Sequence, residues 1–296
     1  MIARVGHVAF AVPDLDRSVA FAQEVIGLRL EARADGVAYL TSNRRHHQLR
    51  LVQGDAHACS SIGLDVADAA TLDALAARAE AAGLVAEADR EQHPGIERTL
   101  WIDVPDGPTF EVCAGVAAVP DAAYPVHGVR PKKLGHVTLA AADTAALERV
   151  LTDTLGFRVS DRIPGVLAWL RCNTDHHGIG VVASESPGLN HYAFELEGWG
   201  AFATLADHII QHDVRLIWGP GRHGPGENLF CYYEDADGSM VECFSDILKV
   251  EDEATYRPLD WPNDATSLNR WGPGPDPAWF GYSTPFATAV PTAVAR

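Results

Sequence analysis

Val5-Gly6-His7-Val8 returns as Leu134-Gly135-His136-Val137, and this echo decides how the chain is organised. Reading outward, Ile26-Gly27-Leu28-Arg29-Leu30 returns as Leu155-Gly156-Phe157-Arg158-Val159. Arg45-His46-His47-Gln48-Leu49 returns as Asp175-His176-His177-Gly178-Ile179. Pro105-Asp106-Gly107 with Glu111 returns as Ala236-Asp237-Gly238 with Glu242. The offset drifts only from 129 to 131 residues across these matches, so one unit has been duplicated with few insertions.

Each half divides again. Residues 5–12, 61–66, 134–140 and 189–196 are short apolar runs that read as strands. A helix follows each. Asp14 suits an N-cap, Val19, Ala22 and Ile26 form a stripe, and Gly27 stops it. Leu72, Leu75, Ala76 and Ala79 repeat the pattern before Gly83, and Leu147, Val150 and Leu151 before Gly156. Phe202, Leu205 and Ile209 make the fourth stripe. Further strand patterns follow, with turns at Pro-Asp-Gly and Ala-Asp-Gly. The unit is therefore βαβββ, four times over, in an α+β fold. One helix leaves a sheet face bare, so two units are expected to pair into an open barrel around a cavity. Two such domains are expected over 1–125 and 133–250, joined near 115–133. A Pro/Trp-rich tail over 251–296 reads as an extended wrap anchored by aromatics, and its last ten or so residues as disordered.

The 296 residues are 47% hydrophobic and 21% charged, which excludes collagen-like and disordered classes. With 23 basic and 40 acidic residues the net charge is −17. That charge repels phosphate backbones, so nucleic-acid and anionic-membrane partners are disfavoured. Cys59, Cys113, Cys172, Cys231 and Cys243 are an odd number without a CxxC, and read as reduced thiols of a cytoplasmic protein. No signal-like start and no run of ~20 apolar residues is visible.

His136, His191 and Glu242 lie in apolar strands of the second half. Alternation turns them toward the same interior as their Val and Leu neighbours. A buried, unpaired carboxylate there is costly, and a divalent metal shared with two neutral imidazoles removes the cost. Two His and one carboxylate leave coordination positions open, as in non-haem Fe(II) enzymes that activate oxygen. The bland reading is three half-buried polar residues. The repeat weighs against it. His7 and Glu111 match His136 and Glu242, while Ser61 stands where His191 would be. The first half reads as a copy of the site that has lost its metal.

The second half resembles the catalytic domain of type I extradiol ring-cleavage dioxygenases, of the vicinal oxygen chelate superfamily. The motifs are Gly135-His136-Val137, Leu189-Asn190-His191, Gly221-Arg222-His223, and Tyr232 ten residues before Glu242. The resemblance implies that His136, His191 and Glu242 bind Fe(II), with Mn(II) the lesser choice. It implies His177 as the acid–base residue, preferred over its neighbour His176. It implies that His223 and Tyr232 hydrogen-bond substrate oxygen. The substrates would be a catechol-type aromatic diol and O2, with cleavage beside the diol, and the assembly a homo-oligomer. Thr138 and Trp169 read equally as pocket walls or plain core. His208 and His212 have ligand spacing but no HExxH glutamate, so a packing or surface role is expected. The glycines around His223 lack phosphate-loop spacing. Two rivals stay open: a glyoxalase-like lyase or epimerase, and a non-catalytic small-molecule binder on the same scaffold.

Overall fold

The computed structural model describes residues 1–120 and 123–288. The expected disorder of the last ten or so residues falls chiefly on 289–296, which lie outside the described residues. The first half runs β1 (Ile2–Val12), α1 (Leu15–Phe21), β2 (Arg29–Ala34), β3 (Val37–Thr41), β4 (Leu49–Gln53), β5 (Ala58–Val66), α2 (Ala69–Ala81), β6 (Val85–Ala88), β7 (Ile96–Asp103) and β8 (Thr109–Val116). The second runs β9 (Lys133–Ala141), α3 (Thr144–Arg149), β10 (Arg158–Ile163), β11 (Leu167–Arg171), β12 (Ile179–Ala183), β13 (Gly188–Glu195), α4 (Trp199–Ile209), β14 (Trp218–Arg222), β15 (Leu229–Glu234) and β16 (Met240–Ser245). The tail adds β17 (Leu259–Asp260) and one helical turn, α5 (Ala265–Leu268).

Each half is one mixed sheet. The orders are β2-β3-β4-β1-β5-β8-β7-β6 and β14-β15-β16-β13-β9-β12-β11-β10-β17. Read from opposite ends they are the same order, with β17 added to the second. At each centre the first strands of two modules pair antiparallel, β1 with β5 and β9 with β13. Both central pairs carry register shifts, one of them between Leu189 and His191.

The helices form where the stripes place them. Asp14, Asp68 and Asp143 each accept a backbone N–H at the helix start. Leu72, Leu75, Leu147, Leu151, Phe202 and Leu205 are buried. α1 and α3 do not simply stop at glycine. Each runs into a wider π-type turn, Ala22–Ile26 and Val150–Thr154. The first closes on Gly27 at φ 85°, a conformation that glycine adopts without a Cβ penalty. His208 donates to the Glu24 carbonyl at 2.6 Å and tilts against His212, which is packing between the halves. The five cysteines are free. Among the described residues no helix is long and apolar enough to cross a membrane.

The tail differs from a simple wrap. It pairs as a strand with β10 and packs Trp279 beside Trp169, Trp218, Phe230 and Tyr232 in a second, smaller apolar cluster. Trp271, expected among its anchors, stays 54% exposed against Trp199.

Candidate metal centre

His136 projects from β9, His191 from β13 and Glu242 from β16. β13 lies between the other two strands, so the register alone brings the three together. The Nε2 atoms of His136 and His191 lie 2.9 and 3.1 Å from Glu242 Oε2. One ligand atom from each residue falls within 4.8 Å of the others, and all three residues are buried. Burial would raise the Glu242 carboxyl, but the charge and hydrogen bonds of His136 and His191 outweigh it and hold it well below the usual range. Burial lowers His191, against the pull of Glu242.

The donor set fits a divalent metal. His191 donates its Nδ1–H to Asn190 Oδ1 at 2.7 Å, which turns Nε2 toward the cluster as the ligand atom. Asn190 is itself fixed, because its Nδ2 donates to the Trp279 and Tyr282 carbonyls at 3.2 and 2.9 Å. Asn228 Nδ2 donates to Glu242 Oε1 at 3.2 Å.

A narrow cavity opens above the cluster. His136, Thr138, Trp169, His177, His191, His223, Tyr232 and Glu242, every residue expected at the site, line it. His176 does not line it. The His177 ring sits 4.4 Å from the His136 ring, centroid to centroid. Its Nδ1 lies 3.1 Å from His176 Nδ1, and His176 Nε2 lies 3.2 Å from Asp161. With the proton of the His176–His177 contact on His177 Nδ1, His177 Nε2 keeps a lone pair. Burial, then the neighbouring His136, hold His177 well below the ordinary imidazole range, so it is neutral at pH 7.

The opposite wall follows the same logic. The Leu268 carbonyl accepts from His223 Nδ1 at 2.5 Å, so His223 Nε2 is an acceptor facing Tyr232 Oη at 3.2 Å. Burial pushes His223 down to about 4. Burial and Glu242 raise the Tyr232 phenol, which stays protonated and able to donate.

In the first half the matching acid has other partners. His7 Nε2 and Ser61 Oγ donate to Glu111 at 3.1 and 3.3 Å. Arg50, buried on β4, points its guanidinium at Glu111 from 3.8 Å and against His93. His7, Glu111 and Cys113 also bring ligand-type atoms together, but a fixed cation beside the carboxylate disfavours a second one. Arg50 pairs with Ala9 as Gly180 pairs with Thr138. A Cβ at Gly180 would meet Thr138 Oγ1 at 2.4 Å.

The two halves are matched, over residues 4–112 and 133–243, by the Glyoxalase/Bleomycin resistance protein/Dioxygenase superfamily. The chain belongs to this superfamily. Among superfamily relatives, a manganese-dependent 2,3-dihydroxybiphenyl 1,2-dioxygenase of Geobacillus genomosp. 3 is 25% identical, over 88% of this chain and 90% of its own. An iron-dependent extradiol dioxygenase of Rhodococcus jostii is 27% identical over 79% and 84%. The crystal structure of a Mn(II)-bound glyoxalase from Novosphingobium aromaticivorans superposes with a TM-score of 0.89 at 28% identity, covering 100% of this chain and 99% of that one.

Four participants carry no sequence signal of their own: Asn190, Asn228, Asp161 and Trp279. Asn190 stands inside a quoted motif, but its role depends on the strand irregularity beside it. Trp279 reaches the cavity from outside both repeats.

Proposed function

We propose that this superfamily member is an Fe(II)-dependent extradiol dioxygenase that cleaves a catechol-type diol with O2 beside the diol. In this reading the second half is catalytic and the first half supports it. The observation that carries the reading is the company kept by the three ligand residues. His177 stands on one side and the His223–Tyr232 pair on the other, around one cavity.

A divalent metal held by His136, His191 and Glu242 supplies Lewis acidity toward the diol oxygens and an electron path from ring to dioxygen. The protein's own groups do the rest. His177 Nε2 takes a proton from a diol hydroxyl and returns one to oxygen later in the turnover. The contact with His176 Nδ1 fits that tautomer. Tyr232 Oη has one hydrogen, which faces His223 Nε2 before substrate binds and turns to a substrate oxygen when it does. Leu167, Trp169 and Trp218 give the ring an apolar slot.

Mn(II) suits the same ligands. A metal-dependent lyase is the second reading, because the Mn(II)-bound glyoxalase covers the whole chain. Against it, the ligand cluster here has three protein donors and leaves open positions. The test is oxygen uptake with simultaneous visible spectra. Protein loaded anaerobically with Fe(II) or Mn(II) is mixed with catechol, 3-methylcatechol and 2,3-dihydroxybiphenyl. A yellow product with one O2 consumed per diol supports the reading. Bound metal with no uptake for any diol supports the lyase.

A further inference from the structure

The Trp279 indole is 95% buried, at 5% exposure, and lines the cavity. Its ring centroid lies 5.9 Å from both the His191 and the Tyr232 rings. Its Nε1 is buried and has no hydrogen-bond partner among the described residues. Neighbouring indoles do not share that condition. Trp218 Nε1 donates to the Pro273 carbonyl at 3.2 Å, and Trp261 Nε1 to Asp161 at 2.8 Å. A buried N–H left unpaired is uncommon and costly, and at a cavity wall it points to a ligand that completes it. The backbone that carries the ring is held, because the Trp279 carbonyl is tied through Asn190 to His191.

The rest of the lining says what kind of acceptor that is. Among the described residues no Lys or Arg lines the cavity, so a ring carboxylate held away from the metal ligands would lie desolvated without a counter-ion, which is expensive. An uncharged oxygen meets neither penalty.

We propose that Trp279 determines specificity for the diol's ring substituent, and that this substituent carries an uncharged acceptor oxygen such as a methoxyl, hydroxyl or carbonyl group. This rests on the dioxygenase reading above. The indole N–H donates to that oxygen while Leu167, Trp169 and Trp218 hold the ring.

The test compares metal-loaded protein with 3- and 4-methoxycatechol, the matching ethylcatechols, and 2,3- and 3,4-dihydroxybenzoate. Both kcat/KM in air and Kd by anaerobic calorimetry are read. At one ring position or the other, methoxycatechol is expected to exceed ethylcatechol about tenfold, the scale of one hydrogen bond. Both benzoates are expected to be poorer still. In Trp279→Phe the methoxy-to-ethyl ratio falls to about one by the same conversion, with metal content retained because Asn190 grips the backbone carbonyl. An unchanged ratio in the variant, no methoxy preference at either position, or a preference for a benzoate overturns the proposal. Should the variant lose metal or fold, the wild-type ranking decides alone. Cleavage without substituent preference sinks only this inference. Absence of cleavage with every diol sinks the dioxygenase reading, and the binding ranking is still read anaerobically.

Discussion

Asn190 and His191 are neighbours in sequence, yet Asn190 Oδ1 accepts from His191 Nδ1 at 2.7 Å. Successive residues of a regular strand point to opposite faces. The register shift between Leu189 and His191 breaks that rule and lets one residue orient the next. Asn190→Ala is expected to weaken metal binding about 10–100-fold. Competition against a colorimetric chelator measures it. Unaltered affinity would mean that packing alone sets the imidazole.

His191→Ala removes a ligand at the cavity wall rather than a core side chain. Metal content is expected to fall to background while the thermal unfolding curve stays cooperative. Retained metal with full turnover would exclude His191 as a ligand.

His177→Gln keeps the metal ligands and deletes the lone pair. Bound metal is expected to stay at one per chain while kcat falls about 10²–10⁴-fold. An unimpaired rate would move the proton step to another group.

Arg50→Gly strips the buried guanidinium from Glu111 in the first half. Breaking a buried pair and leaving its partner costs about 3–5 kcal/mol. Denaturant unfolding should show a loss of that order, with metal content in the second half unchanged. A neutral effect would mean that His7 and Ser61 suffice for Glu111.

Asp175 lies between Lys133, at 2.5 Å, and Lys249. Burial would raise its carboxyl, but the two lysines outweigh burial and lower it below 3.8. The unfolded chain therefore binds this proton more readily, and stability rises with pH across the window. The stabilisation is fully present above 3.8 and is lost as pH falls through the lowered folded value. Asp175→Asn should flatten part of the acid limb of a stability–pH curve, measured by urea unfolding between pH 5 and 2.5. An identical acid limb in the variant would count against the pairing.

The duplication made much of the fold legible. Every strand and helix stripe is written twice, so His7 and Glu111 check His136 and Glu242. The cavity residues followed, since alternation in a strand fixes a side chain's face. What escaped depends on events that no period records. Arg50 sits in a strand where a charge reads as solvent-facing, and only Glu111 and His93 across from it show why it is buried. Asn190 needs an irregular strand, and α1 and α3 end in wider turns than their glycine stops suggest. Trp279 and Leu268 arrive from a tail without repeat or periodicity, yet one lines the cavity and the other orients His223.

The contrast between Arg50 and Gly180 also keeps the two copies from being interchanged piecemeal. Gly180 allows Thr138 to approach, whereas Arg50 fills the corresponding place and faces Glu111. Replacing Arg50 by glycine alone exposes a buried acid, and replacing Ser61 by histidine alone crowds an imidazole against a cation. Each exchange is harmful until the other has been made, so no single substitution turns the first half into a likeness of the second.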